Sequence, residues 1–463
     1  VSAAQTICHN TDATISRGAA SGADGNYNYQ WQSSTDNISY SSLASSAGSI
    51  NTGNLIQSTY YRVKVSNSLC GTEKFSGSSL VTVRNALDAG SLSIADDQIC
   101  YSSLTTLSAN DVSGADGNYT YQWQYLDNSV GNWTNTGSSN SLSLSTGILN
   151  NDRSYRVIVN SGCNVTDISS SAFIDVADEF TIGNIQNSGT DTICYNTKPS
   201  TLTISGAGGR TPYSYQWQRK LSSGTVWTNL GTNSAVYTEV INQTESVQYR
   251  VVQTSSDGCG SLVSGVYEII VRPDVVAPLV SNDVIICNNT SINLSRGNSS
   301  GANDVFTYEW QKSSDNSSFT SLGQSGSTLF TGDLLSTAWY RVQVSNSLCS
   351  VSKNSLAVRV KVRDELAAGG LSTSDNQICH NTNTSLTLSN TDGADTNYTY
   401  TWQYNEGNAG WSNFGLNLVT VSTPNHVSDV QYRVVVGSGC GVNDTTSELS
   451  VDVADSLIIG NIV

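Results

Sequence analysis

The feature that most constrains this chain is a cysteine followed 23 residues later by a tryptophan, an arrangement that occurs five times. A Tyr-Arg-Val step comes 30 or 32 residues after each tryptophan, and a second cysteine 8 to 10 residues after that tyrosine. The positions are Cys8, Trp31, Tyr61 and Cys70; Cys100, Trp123, Tyr155 and Cys163; Cys194, Trp217, Tyr249 and Cys259; Cys287, Trp310, Tyr340 and Cys349; and Cys379, Trp402, Tyr432 and Cys440. A period of roughly 93 residues indicates a tandem array whose units are long enough to fold around their own cores.

These positions predict five repeats and the start of a sixth. The predicted boundaries are 1–86, 87–180, 181–273, 274–364 and 365–456, with 457–463 beginning a further repeat. Repeat 4 copies repeat 1 at a spacing of 279 residues, repeat 5 copies repeat 2, and repeat 3 has no counterpart. The array is therefore built in triplets. Because arrays need capping repeats and neither end resembles one, we expect a window on a longer array.

Alternation of side chains predicts the fold of each repeat. In Tyr29-Gln30-Trp31-Gln32 the aromatic residues share one face of a strand and the glutamines the other. The tryptophan face is the buried one, since a tryptophan removes some 200 Å² from water. About seven short strands, separated by turns rich in Gly, Asn, Asp and Ser, fit one repeat. We therefore predict an all-β chain of five immunoglobulin-like sandwiches in an extended rod, with the tryptophan and tyrosine of each motif in its core.

Composition excludes several classes of partner. The net charge is −16 and only 13% of residues are charged, which argues against nucleic acid or an anionic membrane as a partner. No apolar run is long enough to insert into a bilayer. The ten cysteines form no CxxC or His-rich cluster, so they indicate disulfides in an oxidising, extracytoplasmic compartment and not zinc sites.

The pairing of the cysteines has two alternatives at this stage. Pairing within each repeat, which we assume, closes a loop of about 62 residues and would stabilise a small domain by roughly 4 kcal/mol in the chain-entropy model. The first cysteine precedes the second strand, however, and the second lies beyond the strand that begins at the tyrosine. If these points are at opposite ends of the sandwich, no disulfide can join them. In that case the alternative is pairing between the cysteines of neighbouring repeats.

No residue pattern predicts catalysis. His9 and His380 occupy a position held by Tyr or Asn in other repeats, and His426 stands alone in a loop. No enzyme and no resident cofactor are expected. Loops with Asp24, Asp116, Asp304 and Asp395 are weak candidates for structural calcium, with a plain turn as the favoured interpretation. Second aromatic residues after each core tryptophan are interpreted as packing positions, although exposed aromatics can bind sugars. They are Tyr40, Trp133, Trp227, Phe319 and Trp411.

The motifs Ile-Cys-x-Asn-Thr, Tyr-x-Trp-Gln and Tyr-Arg-Val before a turn cysteine resemble the Ig-like and PKD-like repeats of giant Bacteroidota surface adhesins. This resemblance implies export by the type IX system, a cell-surface location and a role in adhesion or gliding. It also implies possible O-glycosylation in Asp-(Ser/Thr) tripeptides, at Thr192, Thr445 and Ser456.

We therefore expect a structural stalk that extends an adhesive element from a cell. Its expected partners are an extracellular surface, glycan or protein, and other repeats of the same chain. The alternative is a carbohydrate-binding or accessory array of a secreted enzyme.

Overall fold

The computed structural model describes residues 1–127 and 131–460. Over this part of the chain the regular structure consists of β-strands and one short 3-10 turn at Ser256–Gly258. No helix in these residues is long and apolar enough to cross a membrane. The chain is all-β, as the alternating patterns predict.

Two compact units divide the chain. The first comprises Val1–Thr190, Ser200–Glu239 and Val247–Glu268, and the second comprises Asp191–Pro199, Val240–Ser246 and Ile269–Val463. Repeats 1 and 2 lie in the first unit and repeats 4 and 5 in the second, whereas repeat 3 contributes strands to both.

In the first unit, repeats 1 and 2 each form two sheets. Repeat 1 contains β1 (Gln5–Ile7), β2 (Thr14–Ser16), β3 (Asn28–Ser34), β4 (Ser41–Ser42), β5 (Ser49–Asn51), β6 (Thr59–Asn67), β7 (Thr72–Phe75) and β8 (Ser79–Val83). Repeat 2 contains β9 (Ser91–Ile94), β10 (Gln98–Ile99), β11 (Thr106–Asn110), β12 (Tyr119–Asp127), β13 (Trp133–Ser139), β14 (Ser143–Ser145), β15 (Arg153–Ser161), β16 (Thr166–Ile168) and β17 (Ala172–Val176). The larger sheets have the orders β1-β8-β6-β3-β4 and β10-β17-β15-β12-β13, with β7 and β16 also paired to β6 and β15. The smaller sheets are β2-β5 and β14-β11-β9.

Repeat 3 has the same strand succession in shorter pieces. Its strands are β18 (Thr181–Ile182), β19 (Gln186–Asn187), β20 (Thr192–Ile193), β21 (Leu202–Thr203), β22 (Gly206–Ala207), β23 (Ser214–Leu221), β24 (Thr228–Asn229), β25 (Val236–Tyr237), β26 (Val247–Thr254), β27 (Ser261–Val263) and β28 (Tyr267–Val271). Within the first unit, β23 pairs with β24 and β26, and β26 pairs with β27. Within the second unit, β20 runs parallel to the end of β28.

In the second unit, repeats 4 and 5 repeat these topologies. Repeat 4 contains β29 (Val284–Ile286), β30 (Asn293–Ser295), β31 (Thr307–Ser313), β32 (Thr320–Ser321), β33 (Thr328–Phe330), β34 (Ala338–Asn346), β35 (Val351–Asn354) and β36 (Val358–Val362). Repeat 5 contains β37 (Gly370–Thr373), β38 (Gln377–Ile378), β39 (Ser385–Ser389), β40 (Tyr398–Glu406), β41 (Ser412–Phe414), β42 (Thr420–Ser422), β43 (Val430–Ser438), β44 (Asn443–Thr445) and β45 (Leu449–Val453). The larger sheets are β29-β36-β34-β31-β32 and β38-β45-β43-β40-β41.

Each sandwich is centred on the motif tryptophan. All five tryptophans have no exposed surface, and the motif tyrosines are at most 3% exposed. The indole N–H of Trp31 donates to the carbonyl of Ala47 at 2.9 Å, and the other four tryptophans make the equivalent bond. The buried indole therefore retains a partner for its only donor, which avoids the cost of an unsatisfied polar group.

The sheet register places the two cysteines of a repeat far apart. In repeat 1, β1 runs parallel to β8, with Ile7 opposite Val83, so Cys8 lies where the chain leaves the repeat. Strand β6 runs antiparallel to β8 and begins at that end, with Thr59 opposite Val81. Cys70 follows the far end of β6, about 26 Å away along a strand that rises 3.3 Å per residue.

Candidate functional site at the repeat junctions

Disulfides join neighbouring repeats. The pairs are Cys8–Cys163, Cys100–Cys259, Cys194–Cys349 and Cys287–Cys440. In each, the first cysteine of one repeat bonds to the second cysteine of the next, with Cα atoms 5.2 to 5.8 Å apart. The assumed pairing within a repeat is wrong, because the register puts those two cysteines at opposite ends of a sheet and a disulfide spans less than about 7 Å between Cα atoms.

The linkers are the segments between the last strand of one repeat and the first strand of the next: 84–90, 177–180, 272–283 and 363–369. A glycine lets the linker approach the next repeat at every junction. A Cβ atom added to Gly114, Gly208, Gly301 or Gly393 would lie 1.8 to 2.0 Å from a linker carbonyl oxygen. These glycines also have positive φ angles between 71° and 98°. Only glycine meets both demands, since other residues clash and are strained in that region.

One backbone hydrogen bond recurs beside this glycine. The residue that follows it donates its amide to a linker carbonyl at 2.7 to 2.9 Å. The pairs are Ala115 with Asn85, Gly209 with Asp178, Ala302 with Pro273, and Ala394 with Asp364. The three alanines are 7 to 8% exposed. The junction is thus built first from backbone, which makes it tolerant of changes in side chains.

The aspartates proposed as calcium candidates lie beside the second cysteine. Asp116 accepts the amide of Gly162 at 3.0 Å, and Asp395 accepts that of Gly439 at 2.9 Å, each one residue before a bonded cysteine. The hydrogen bond from the Asn118 side chain, followed by those from backbone amides, holds the pKa of Asp116 below its usual value. These carboxylates therefore fix the cysteine turn.

Repeats 1 and 4 hold the same turn through an asparagine. Asn346 accepts the amide of Cys349 at 2.9 Å and donates to Asn303 at 2.6 Å. In repeat 1, Asn67 accepts the amide of Cys70 at 2.9 Å and donates to Asp24. Asn303 takes the position of Asp24, and Asp304 accepts the amide of Gly301 at 3.1 Å. The residue of repeat 4 that holds the cysteine turn is therefore Asn303 and not Asp304. In the described ranges no group of three or more His, Cys, Asp or Glu side chains is arranged for a metal ion.

Repeat 3 replaces the aspartate with a serine and an arginine. The hydroxyl of Ser255 accepts the amide of Arg210 at 2.6 Å. The Arg210 guanidinium reaches back to repeat 2, where it bonds the Asp175 carboxylate at 2.5 Å and the carbonyls of Ile99 and Asp175. Because this guanidinium is only 14% exposed, the ion pair is more strongly coupled than a surface pair.

The outward arginine of each Tyr-Arg-Val step is sandwiched between two partners. In repeat 2, Arg156 donates to Gln124 at 2.8 Å and lies 4.2 Å from the ring centre of Trp133. The same pattern recurs with the aromatic residues Tyr40, Trp227, Phe319 and Trp411 at 3.7 to 4.3 Å. The second aromatic residues therefore pack on the outer face of the sheet, against arginine, through cation–π contacts.

The burial of two ionisable side chains was not indicated by the sequence. Glu239 of repeat 3 is 3% exposed and accepts bonds from Arg219 at 2.7 Å and Tyr249 at 2.8 Å. His426 of repeat 5 is 1% exposed and lies 3.0 Å from the carboxylate of Glu406. Both belong to sandwich interiors. A signal for His426 would have been its position, which holds leucine in repeats 1, 2 and 4. Glu239 replaces a threonine that recurs in the other four repeats.

The three glycosylation candidates lie in different surroundings. Thr192 is half-buried in β20, opposite Ile270. Thr445, in β44, and Ser456 are exposed. Modification at these positions stays a prediction.

The fold and its junctions define a class: tandem β-sandwich repeats whose neighbours are cross-linked by disulfides. A family model described as a domain of unknown function (DUF8696) matches residues 1–85, 88–178, 183–273 and 276–364. These matches cover more than half of the chain, so the chain belongs to that family. A search of curated proteins found no match.

Solved structures with related domain arrays overlap this chain only loosely. The three N-terminal domains of the highly immunogenic outer capsid protein of bacteriophage RB49 are 14% identical, with a TM-score of 0.29 over 60% of this chain and 99% of that chain. A crystallised segment of titin is 15% identical, with a TM-score of 0.26 over 59% and 99%. The FN1–FN3 domains of chicken CNTN1 are 14% identical, with a TM-score of 0.24 over 59% and 97%. The strand topology defines the fold independently of these overlaps.

Proposed function

We propose that the chain is a load-bearing spacer segment of a large extracellular protein. The observation that carries this proposal is that consecutive disulfide loops overlap. The loop closed by Cys100–Cys259 begins inside the loop closed by Cys8–Cys163 and ends beyond it. The two later loops overlap in the same way. Disulfides of this kind belong to oxidising compartments, which supports an extracellular or secreted location.

The overlap creates two covalent routes along the array. One route passes from Cys8 to Cys163, along residues 163–194 to Cys194, and across to Cys349. The other passes from Cys100 to Cys259, along residues 259–287 to Cys287, and across to Cys440. Each of these segments contains the last strands of one repeat and the linker to the next, so tension is carried by the disulfides, the linkers and those last strands.

The shortest covalent path from Val1 to Val463 then contains about 120 residues, which limits its extension to roughly 420 Å at about 3.5 Å per residue. Without disulfides all 463 residues lie in series and reach about 1,600 Å. A spacer that must keep its length under tension benefits from this difference.

The finer assignment rests on motif resemblance. On that basis we propose a cell-surface adhesin of Bacteroidota, of the SprB type used in gliding motility and exported by the type IX system, in which this segment holds an adhesive element away from the cell. Its ligand would be a glycan or protein on another surface.

A carbohydrate-binding array is less well supported. Sugar-binding aromatics need a free ring face, whereas a guanidinium lies over the ring at each of the five candidate positions. The spacer role uses the features present at every junction, and the sugar-binding role does not.

Single-molecule force spectroscopy on the full chain, tethered at both ends, tests the spacer role. In oxidising buffer we expect the final extension to be about a quarter of that measured after full reduction, because of the shorter covalent path. An oxidised chain that extends as far as the reduced chain would reject load-bearing by the disulfides. Alkylation of the reduced chain before pulling provides the control, since it prevents the bonds from re-forming.

A further inference from the structure

Two cysteines differ from the other eight. Cys70 and Cys379 are unbonded and exposed, whereas the eight bonded cysteines are partly buried. Cys70 is the second cysteine of repeat 1, and its equivalents Cys163, Cys259, Cys349 and Cys440 all bond to the preceding repeat. Cys379 is the first cysteine of repeat 5, and its four equivalents all bond to the following repeat. Each thus has the position of a junction cysteine without its partner.

In repeat 1 the glycine that corresponds to the junction glycines, Gly22, has no linker packed against it. A Cβ atom added to Gly22 would meet nothing within 4 Å, although its φ of +97° matches that of Gly301 in repeat 4. Gly301 lies against the carbonyl of Asp274. Ala23 is exposed, whereas its equivalent Ala302 is 8% exposed.

A cavity in repeat 1 lies at the position that a linker fills in repeat 4. The cavity has a volume of about 500 Å³ and is lined by Ala23, Tyr27, Tyr29, Val65, Thr72 and Lys74, among others. In repeat 4 the corresponding residues are Ala302, Phe306, Tyr308, Val344, Val351 and Lys353. There Val275, from the linker that follows repeat 3, is 3% exposed in a cluster with Ala302 and Val344.

A charged residue at this position also corresponds between repeats 1 and 4. Lys353 pairs with Asp274 of that linker at 2.5 Å. Lys74, its equivalent, lines the open cavity of repeat 1 and is exposed. The cavity therefore fits a segment with an acidic residue followed by a small apolar one, as in Asp274-Val275.

We propose that repeat 1 is the receiving half of a further junction, which takes a repeat of the repeat 3 type placed ahead of Val1 in one polypeptide. The linker of that repeat fills the cavity with its equivalent of Val275. Its first cysteine bonds to Cys70, as Cys194 bonds to Cys349. Two thiols lose two hydrogens to a disulfide oxidant such as oxidised glutathione, which is reduced to two thiols. This inference goes beyond the spacer role and does not depend on it.

Repeat 5 carries the complementary half. Leu457 and Ile459, which follow its last strand, are 94% and 89% exposed, and its first cysteine, Cys379, is unbonded. Leu457 corresponds to Phe180 of repeat 2, which stacks on Tyr213 of repeat 3 with ring centres 5.7 Å apart. The partner expected for this end is again a repeat of the repeat 3 type, through the equivalent of Cys259.

A fusion tests the proposal on the full chain. A copy of residues 181–279 is placed ahead of Val1, with Cys259→Ser in the added copy so that only its first cysteine is available. After oxidation in a glutathione buffer, peptide mapping by mass spectrometry is expected to show Cys70 bonded to that added cysteine, and alkylation of Cys70 is expected to be lost. Cys379 stays alkylated and serves as the internal reference.

Two variants of the added copy provide matched controls. Cys194→Ser in the copy should restore alkylation of Cys70. The parent fusion should also protect residues 18–27 from hydrogen exchange, and Val275→Asp in the copy should remove that protection. Full alkylation of Cys70 in the fusion, with the four other disulfides formed, would overturn the proposal. A Cys70 disulfide found only between two separate molecules, seen as a dimer on a non-reducing gel, would overturn the in-line arrangement. Unchanged protection with Val275→Asp would overturn the assignment of the cavity.

Discussion

The junction that leads into repeat 3 and the junction that leads into repeat 5 share their backbone contacts and differ in their side chains. At both, a glycine packs against a linker carbonyl, where an added Cβ would lie 1.9 Å from Glu179 O or 2.0 Å from Glu365 O. Both also carry an inter-repeat disulfide. Into repeat 3, however, Arg210 makes three hydrogen bonds with repeat 2. Into repeat 5, Asp395 holds the cysteine turn. Glycine and disulfide are thus common to the two junctions, and the side chains around them differ.

Removal of a disulfide should have the largest effect and the same effect at both junctions. The Cys100→Ser/Cys259→Ser and Cys287→Ser/Cys440→Ser variants each open a loop of more than 150 residues. We expect each to lose about 5 kcal/mol of protection in the repeats it joins, by the chain-entropy account. Native-state hydrogen exchange measures this loss. A difference between the two variants of more than about 2 kcal/mol would show that the disulfide is not the common element.

Substitution of the junction glycine should have the second-largest effect on stability. Gly208→Ala and Gly393→Ala both place a methyl group against a carbonyl oxygen, and both keep a strained positive φ. Gly22→Ala is the matched control, since it has the same strain and open space around it. We expect the junction variants to cost about 1–3 kcal/mol more than the control, measured by hydrogen exchange of the flanking strands. Equal losses in all three would mean that backbone strain, and not close approach, requires these glycines.

The arginine at the repeat 3 junction should distinguish the two regions. Arg210→Ala removes three hydrogen bonds, one of them to a carboxylate, and should weaken that junction by about 2 kcal/mol. Arg363→Ala at the repeat 5 junction removes one bond, to the carbonyl of Ala394 at 3.2 Å, and should cost about 1 kcal/mol or less. The rate at which a water-soluble phosphine reduces each junction disulfide reports the difference. If the two variants speed reduction of their junction disulfides by the same factor, Arg210 does not distinguish the two junctions.

Acid should loosen the repeat 5 junction selectively, with the smallest effect. Desolvation acts to raise the pKa of Asp395, but the hydrogen bonds from Gly439 and Asn397 outweigh it and keep the pKa below its usual value. A carboxylate with a lowered pKa in the folded state stabilises that state above about pH 4, and the contribution is lost as pH falls through the folded pKa. At the repeat 3 junction the hydroxyl of Ser255 has the corresponding place and does not titrate. The Asp175 carboxylate that pairs with Arg210 at this junction is also sensitive to acid, so both junctions are compared in an Arg210→Ala background, which removes that pair.

The measurement is the ratio of phosphine reduction rates of Cys287–Cys440 and Cys100–Cys259 between pH 7 and pH 2, in the Arg210→Ala background. We expect this ratio to rise below about pH 4. In an Asp395→Asn variant the ratio should no longer change with pH. A ratio that stays constant without the Asp395→Asn change would mean that ionised Asp395 does not stabilise the turn that carries Cys440.

The sequence was sufficient for the sandwich and insufficient for the cross-links. Alternation in β3, β6 and β8 identifies the buried tryptophan face, because period-two patterns are local. The disulfide pairing depends on β1 running parallel to β8, a contact between strands more than 70 residues apart. Cys8 is closer in sequence to Cys70 than to Cys163, yet only Cys163 lies within reach.

Side chains on the outer face show the same limit. Alternation places Arg156 outside the core, but it does not reveal that Gln124 and Trp133 enclose it, since those contacts join three strands. His426 has the sequence surroundings of a loop residue, because its partners Glu406 and Tyr404 come from a strand about 20 residues earlier. The glycine and aspartate of the turns were visible in the sequence, and their contact with another repeat was not.

The overlapping disulfides also affect what a protease can do to this chain. Any single backbone cut between Cys8 and Cys440 falls inside at least one disulfide loop. A cut in the exposed linker at Asp178, for example, leaves the two fragments joined through Cys100–Cys259. The oxidised chain can therefore be nicked once anywhere along this stretch without coming apart, and two cuts in suitable places are needed to release a piece.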